Sequence, residues 1–202
     1  IYYQFYETVD IAEALRQQTG IEAEAVTDIV FTHLHFDHCG AAVRTDADGR
    51  RRPAFPNAIH WTSRAQYDSE RRPHPLEAQS FAKGNTGILE KAGLLRIIES
   101  TTQPYESMTL RLYDGHTLGQ ICAVIKPLEG ETAVFPGDII PLASHIVLDR
   151  ISAYDLYPTL SYDGKTEILE RAATEGHRLV FYHDAQTPAS SIKKLRSTYK
   201  LK

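Results

Sequence analysis

Between positions 33 and 38 the chain reads His33-Leu34-His35-Phe36-Asp37-His38, four strong metal-ligating side chains within six residues. Chance gives a chain of this composition such an HxHxDH run on the order of once in a thousand sequences. In an extended segment residues i and i+2 project to the same side. His33 and His35 can therefore present imidazoles to one ion while Asp37 and His38 serve a neighbour. Neutral imidazole with carboxylate suits zinc best, and iron and manganese accept the same donors.

Three further pieces can complete a cage. Asp114-Gly115-His116-Thr117-Leu118-Gly119 sets a histidine in a glycine-flanked turn, Gly137-Asp138 follows an apolar run, and His183-Asp184 ends another. A lone histidine at a strand end is more often structural than functional. Four such pieces in one chain point to a shared metal centre built from His33, His35, Asp37, His38, His116, Asp138 and His183. Thr117 and Asp184 are candidates to orient imidazoles from outside, or to serve as capping groups. Cys39 reads as a small buried thiol, and Arg50 to Arg52 with Arg71 and Arg72 as solvated charges.

The motifs HxHxDH (33–38), GHTxG (115–119), GD (137–138) and HD (183–184), in that order, resemble those of the metallo-β-lactamase superfamily of αββα hydrolases. The resemblance implies one metal held by His33, His35 and His116, a second held by Asp37, His38 and His183, and Asp138 bridging them. It also implies an α/β sandwich, two central mixed β-sheets flanked by helices, as one domain over 1–202. Only one convincing strand precedes His33, so N-terminal strands of the first sheet are expected to be missing from this stretch of sequence.

Segments 55–58, 137–145 and 153–158 further resemble quorum-quenching lactonases and their organophosphate-degrading relatives. That branch implies a lactone substrate of the N-acyl homoserine type. Phosphotriesters, thioesters and β-lactams are alternatives on the same site, as is a mononuclear iron dioxygenase of the same superfamily. The lactonases carry a tyrosine three residues after the bridging aspartate, where this chain has Pro141. His145 and Tyr154, from the segment that follows, are the candidates to meet substrate instead. Two divalent ions roughly 3.5–4 Å apart would share a water, lower its pKa and hold the hydroxide that attacks. Asp37 would pass a proton to the leaving group.

The elements that must position these residues follow from apolar periodicity. Helices are expected at 8–18, capped by Thr8 or Asp10 and stopped by Gly20, and at 63–71, 77–92, 165–175 and 190–199. Strands are expected at 29–31, 58–62, 94–98, 109–113, 120–126, 132–135 and 178–182, with a polar loop at 46–53. Over 202 residues, 42% are hydrophobic and 24% charged, the composition of an ordinary globular domain. A net charge of −4 gives no field for a phosphate backbone, so nucleic acid is not expected as a partner. No run reaches the roughly 18 apolar residues of a membrane span. Two cysteines fit a reducing, cytoplasmic setting, although a leader ahead of Ile1 would not be visible. A small-molecule substrate and a possible homodimer complete the expectations.

Overall fold

The computed structural model describes residues 9–202. Asp10 caps α1 (Ile11–Thr19), its carboxylate accepting from the backbone N–H groups of Ala12 and Glu13 at 2.9 and 3.2 Å, and Gly20 ends the helix in the left-handed region. The alternative cap, Thr8, lies outside the described residues. Next come β1 (Asp28–Val30), the short α2 (Phe36–Cys39), and a hairpin of β2 (Val43–Thr45) and β3 (Arg51–Pro53). The polar loop expected at 46–53 is thus only the hairpin tip. Beyond it lie β4 (Ile59–Ser63), α3 (Arg64–Arg71), α4 (Asn85–Lys91) and β5 (Leu95–Ile98). The helix expected at 77–92 is turns up to Phe81 and then α4, because Gly84 at φ 81° cannot continue a helix.

The second half supplies β6 (Thr102–Tyr105), β7 (Met108–Tyr113), β8 (Gln120–Ile125), β9 (Ala133–Phe135), α5 (Pro158–Glu175), β10 (Arg178–Val180), β11 (Ala189–Leu195) and β12 (Thr198–Leu201). Helix α5 begins seven residues before its expected start. Pro158 opens it, and Gly164 lets it approach the Tyr113 ring, which an added Cβ would meet at 3.1 Å. The helix expected at 190–199 is instead the β11–β12 hairpin. Ser190 and Ile192 are buried at a spacing of two, Arg196 turns the chain at φ 56°, and Ile192 and Tyr199 pack into the core beneath α5.

Among the described residues β1, β4 and β5 pair in parallel, in the order β1-β4-β5. The second sheet is mixed, ordered β12-β11-β10-β9-β8-β7-β6, with β9 and β10 parallel and the other pairs antiparallel. Strand β8 shows how the layers stack. Ile121 and Ala123 face a cluster with Val30, Trp61 and Ile98 of the small sheet, while Cys122 and Val124 face Ile168, Leu169 and Ala172 of α5. A strand buried on both faces needs no polar alternation, which is why its sequence is continuously apolar after Gln120. Phe31, Leu34 and Leu89 close the outer side of the small sheet. No helix among the described residues is long and apolar enough to cross a membrane.

His60, in the middle of β4, is fully buried and neither ring nitrogen has a hydrogen-bond partner. Burial holds its pKa below the ordinary value. The unfolded chain therefore takes up this proton first as pH falls below about 6.5, and stability is lost in that direction, by up to about 1.4 kcal/mol per pH unit. Thermal melts at pH 7.5 and 5.5 should show a smaller acid-side drop in His60→Leu than in the parent. An equal drop would contradict the assignment of a neutral buried imidazole.

Candidate metal centre

The expected cluster is gathered from the loops, turns and short helix that follow the strands. The chain leaves β1 and is fastened to β8 by the Ile121 N–H donating to the Thr32 carbonyl at 2.7 Å. It then runs extended through His35, and α2 carries Asp37 and His38. The β7–β8 turn carries His116. There the Asp114 carboxylate accepts from the Gly119 N–H at 2.7 Å, and Gly115 lies so close to Ser161 that a Cβ would stand 2.4–2.7 Å from its atoms. Asp138 sits on the turn after β9. Its N–H donates to the Gln120 side chain at 3.3 Å, while the Gln120 amide donates to the Pro136 carbonyl at 2.8 Å. His183 follows β10, held by its N–H on the Pro141 carbonyl at 3.1 Å.

The seven side chains converge as the sequence anticipates. Nitrogens of His33, His35 and His116 lie within 4.8 Å of one another, as do donor atoms of Asp37, His38 and His183 and of His33, His38 and Asp138. His35 Nδ1 and His116 Nε2 are 3.2 Å apart, His38 Nε2 and His183 Nε2 3.3 Å. Two nitrogens bound tetrahedrally at 2.0–2.1 Å would stand roughly 3.3 Å apart. Asp138 spans both halves, with Oδ1 3.3 Å from His38 Nε2 and Oδ2 3.6 Å from His116 Nε2 and 3.3 Å from His183 Nε2.

Titration shifts across the cluster run in both directions. His33 is fully buried, and burial together with the His38 and His35 imidazoles keeps its pKa well below the ordinary value. Its Nδ1 meets the Thr32 hydroxyl at 3.1 Å, while Nε2 is buried with no partner at all. An unprotonated imidazole whose inward nitrogen has nothing to bond is a cost that a metal ion would remove. Burial disfavours charge on His38, yet the Asp138 and Asp37 carboxylates raise its pKa to about 9. Burial likewise opposes ionisation of Asp138, but His183 and His38 hold it well below the carboxylate range.

Other residues take the places their surroundings dictate. Thr117 does not touch an imidazole; its hydroxyl donates to Glu77 at 2.8 Å, and Glu77 in turn lies 3.4 Å from His35 Nε2. Asp184 caps its own loop, accepting from the N–H groups of Ala143, Gln186 and Thr187. Cys39 donates its thiol to the Leu34 carbonyl, and burial pushes its pKa up to about 12, so it is a packing residue. Glu77 and Asp155, the latter 3.1 Å from His116 Nδ1, carried no sequence signal, since each meets its histidine across about 40 positions with no fixed spacing.

A cavity of about 370 Å³ opens above the cluster. His35, Asp37, His116, Asp138 and His183 form one side, and Phe36, Leu76, Pro141, Leu142 and Leu156 give apolar walls. His145 and Tyr154 both line it. The His145 Nδ1 is buried without a partner, and Tyr154 is 77% exposed at the mouth.

A sequence model of the metallo-beta-lactamase superfamily matches residues 7–46, the stretch that contains the HxHxDH motif. Among solved structures, a probable metal-dependent hydrolase from Staphylococcus aureus superposes with a TM-score of 0.79 at 23% identity, over 97% of this chain and 69% of its own. AidC, a dizinc quorum-quenching lactonase with a product bound, gives 0.74 at 20% identity over 95% and 68%. The hydrolase AbOPH of the beta-lactamase superfamily gives 0.73 at 20% identity over the same shares. A search of curated proteins gives no match. The chain has the fold of the metallo-β-lactamase superfamily and, over residues 7–46, its sequence signature.

Proposed function

We propose that this chain is a metal-dependent hydrolase with two divalent ions, zinc by preference, acting on a small uncharged ester-like substrate, a lactone first among them. The observation that carries the metal reading is the buried, unpartnered Nε2 of His33 at the centre of six other convergent donors. His33, His35 and His116 would hold one ion and Asp37, His38 and His183 the other, with Asp138 between. Bound there, the ions supply a water of lowered pKa as nucleophile and polarise the substrate carbonyl.

The remaining steps belong to the chain's own groups. Asp37 Oδ2, half-exposed at the cavity, is placed to take up the proton that the attacking water gives up and pass it to the departing alkoxide. His145, kept neutral chiefly by burial, lines the wall together with Pro141, where its ring can pack against the ester. The apolar walls exclude water around the acyl portion. Among the lining residues there is no lysine or arginine, so an anionic group lying away from the ions would meet no cationic side chain. That favours lactones and other neutral esters over carboxylate-bearing β-lactams and phosphodiesters. AidC, similar in fold, is a lactonase with its homoserine product bound.

A hydrolysis panel tests the reading. Neutral lactones are expected to turn over at least about 100-fold faster, in kcat/KM, than β-lactams or phosphodiesters. Preference for the anionic substrates would overturn it. Tyr154→Ala should raise KM for the best lactone by about tenfold with kcat little changed, because it removes a wall of the mouth and no reacting group. An unchanged KM would remove Tyr154 from the substrate contacts.

A further inference from the structure

Two carboxylates outside the seven-residue cluster reach it from behind, and both serve the same half. Glu77 meets His35 Nε2 at 3.4 Å and Asp155 meets His116 Nδ1 at 3.1 Å, so the two imidazoles that face each other at 3.2 Å are each held by their outer nitrogen. Glu77 is itself fixed by a buried chain. The Thr117 hydroxyl donates to it at 2.8 Å, the Gln66 amide donates to Thr117 at 3.0 Å, and the Leu34 N–H in the metal loop donates to the Gln66 carbonyl at 2.8 Å. Gln66 and Thr117 are wholly buried, and the Asp155 side chain is only 2% exposed.

The other half is braced differently. The side chains of Asp37 and His183 are 37% and 36% exposed. His38 Nδ1 meets only the Thr32 hydroxyl, at 3.5 Å, and that hydroxyl sits closer to His33. Among the described residues no carboxylate stands behind His38 or His183. A carboxylate on the outer N–H fixes the tautomer and ring direction of an imidazole and makes its inner nitrogen a stronger donor. Through the two rings it also lends negative charge to a position whose own three ligands are neutral.

Building on the dinuclear reading above, we propose that Glu77 and Asp155 are positioning residues that make the His33, His35 and His116 position the tighter of the two, so that the ions load in sequence, the buried position first. The half-exposed position must order Asp37 and His183 against water each time it fills. It is the position that empties first.

The test is chelator titration of the zinc-loaded full chain, with zinc per chain as the readout. The parent should lose its two equivalents in separate steps at least tenfold apart in chelator concentration. His183→Ala should abolish the weaker step and His116→Ala the tighter. Glu77→Gln and Asp155→Asn, each independently, should move the tighter step 10–100-fold towards lower chelator and leave the weaker where it is. Melting temperatures of the metal-free variants should match the metal-free parent, which separates positioning from a folding role. One merged step in the parent, or variants that leave the tighter step in place, overturns the proposal. A chain that takes up no zinc at all overturns the dinuclear reading instead.

Discussion

Asp138→Ala is expected to keep the fold, to retain at most one metal equivalent per chain and to lose hydrolysis by about 10³-fold or more. The Asp138 carboxylate reaches both halves of the centre, His116 in one and His38 and His183 in the other. Its turn does not depend on it. The Gln120 side chain holds the Asp138 N–H and the Pro136 carbonyl, contacts that survive truncation at Cβ. Asp138→Asn should fail as completely, since the amide keeps the shape and loses the charge that holds two cations together. Elemental analysis with circular dichroism checks both variants. Two retained equivalents with near-parental activity would remove Asp138 from the bridging position.

Gly115→Ala should be damaging for a reason that involves no ligand atom. Its φ of 152° is rare for residues with a side chain, and the new Cβ would lie 2.4–2.7 Å from Ser161 Oγ, Cα and N. Two of those are backbone atoms of α5, which cannot yield as a side-chain tip can. The Gly115 carbonyl also accepts from the Tyr157 N–H at 2.9 Å, and the His116 carbonyl from the Leu156 N–H at 3.1 Å, so relief of the clash must shift the turn carrying His116. A cost of about 3 kcal/mol is expected. For a chain of this size that lowers Tm by roughly 6–12 °C. Activity should drop by about 100-fold as His116 is displaced. Gly130→Ala is the control: φ is 99° there but nothing lies within 4 Å, so only the backbone strain of about 1 kcal/mol remains. Equal melting temperatures for the two variants would show that the close approach to Ser161 is unimportant.

The convergent His and Asp side chains were legible because each sits in a short local motif. His33 to His38 fall within six residues, and a strand feeding an extended loop is enough to gather them. What stands behind them was not legible, since Glu77 and Asp155 are ordinary acidic residues whose role arises only when a turn and a loop from distant parts of the chain close over the imidazoles. The same limit explains the misread end of the chain. Residues 190–199 carry leucine and lysines that suit a helix, yet burial of Ser190 and Ile192 against the α5 layer selects the period of a strand. In β8, by contrast, a β-rich run between turn residues announced a strand, and the structure places it between the small sheet and α5. The cavity walls follow from how the segments around Leu76 and 141–156 fold over the centre, which no periodicity encodes.

The central claim is that seven side chains hold a pair of ions that hydrolyse a neutral ester. Metal content of the purified chain by elemental analysis, read on the same sample as lactone turnover, tests it most directly. Two zinc or manganese equivalents per chain, with turnover lost on chelation and restored by the metal, is the expected result. A single iron with oxygen consumption and no hydrolysis would contradict it.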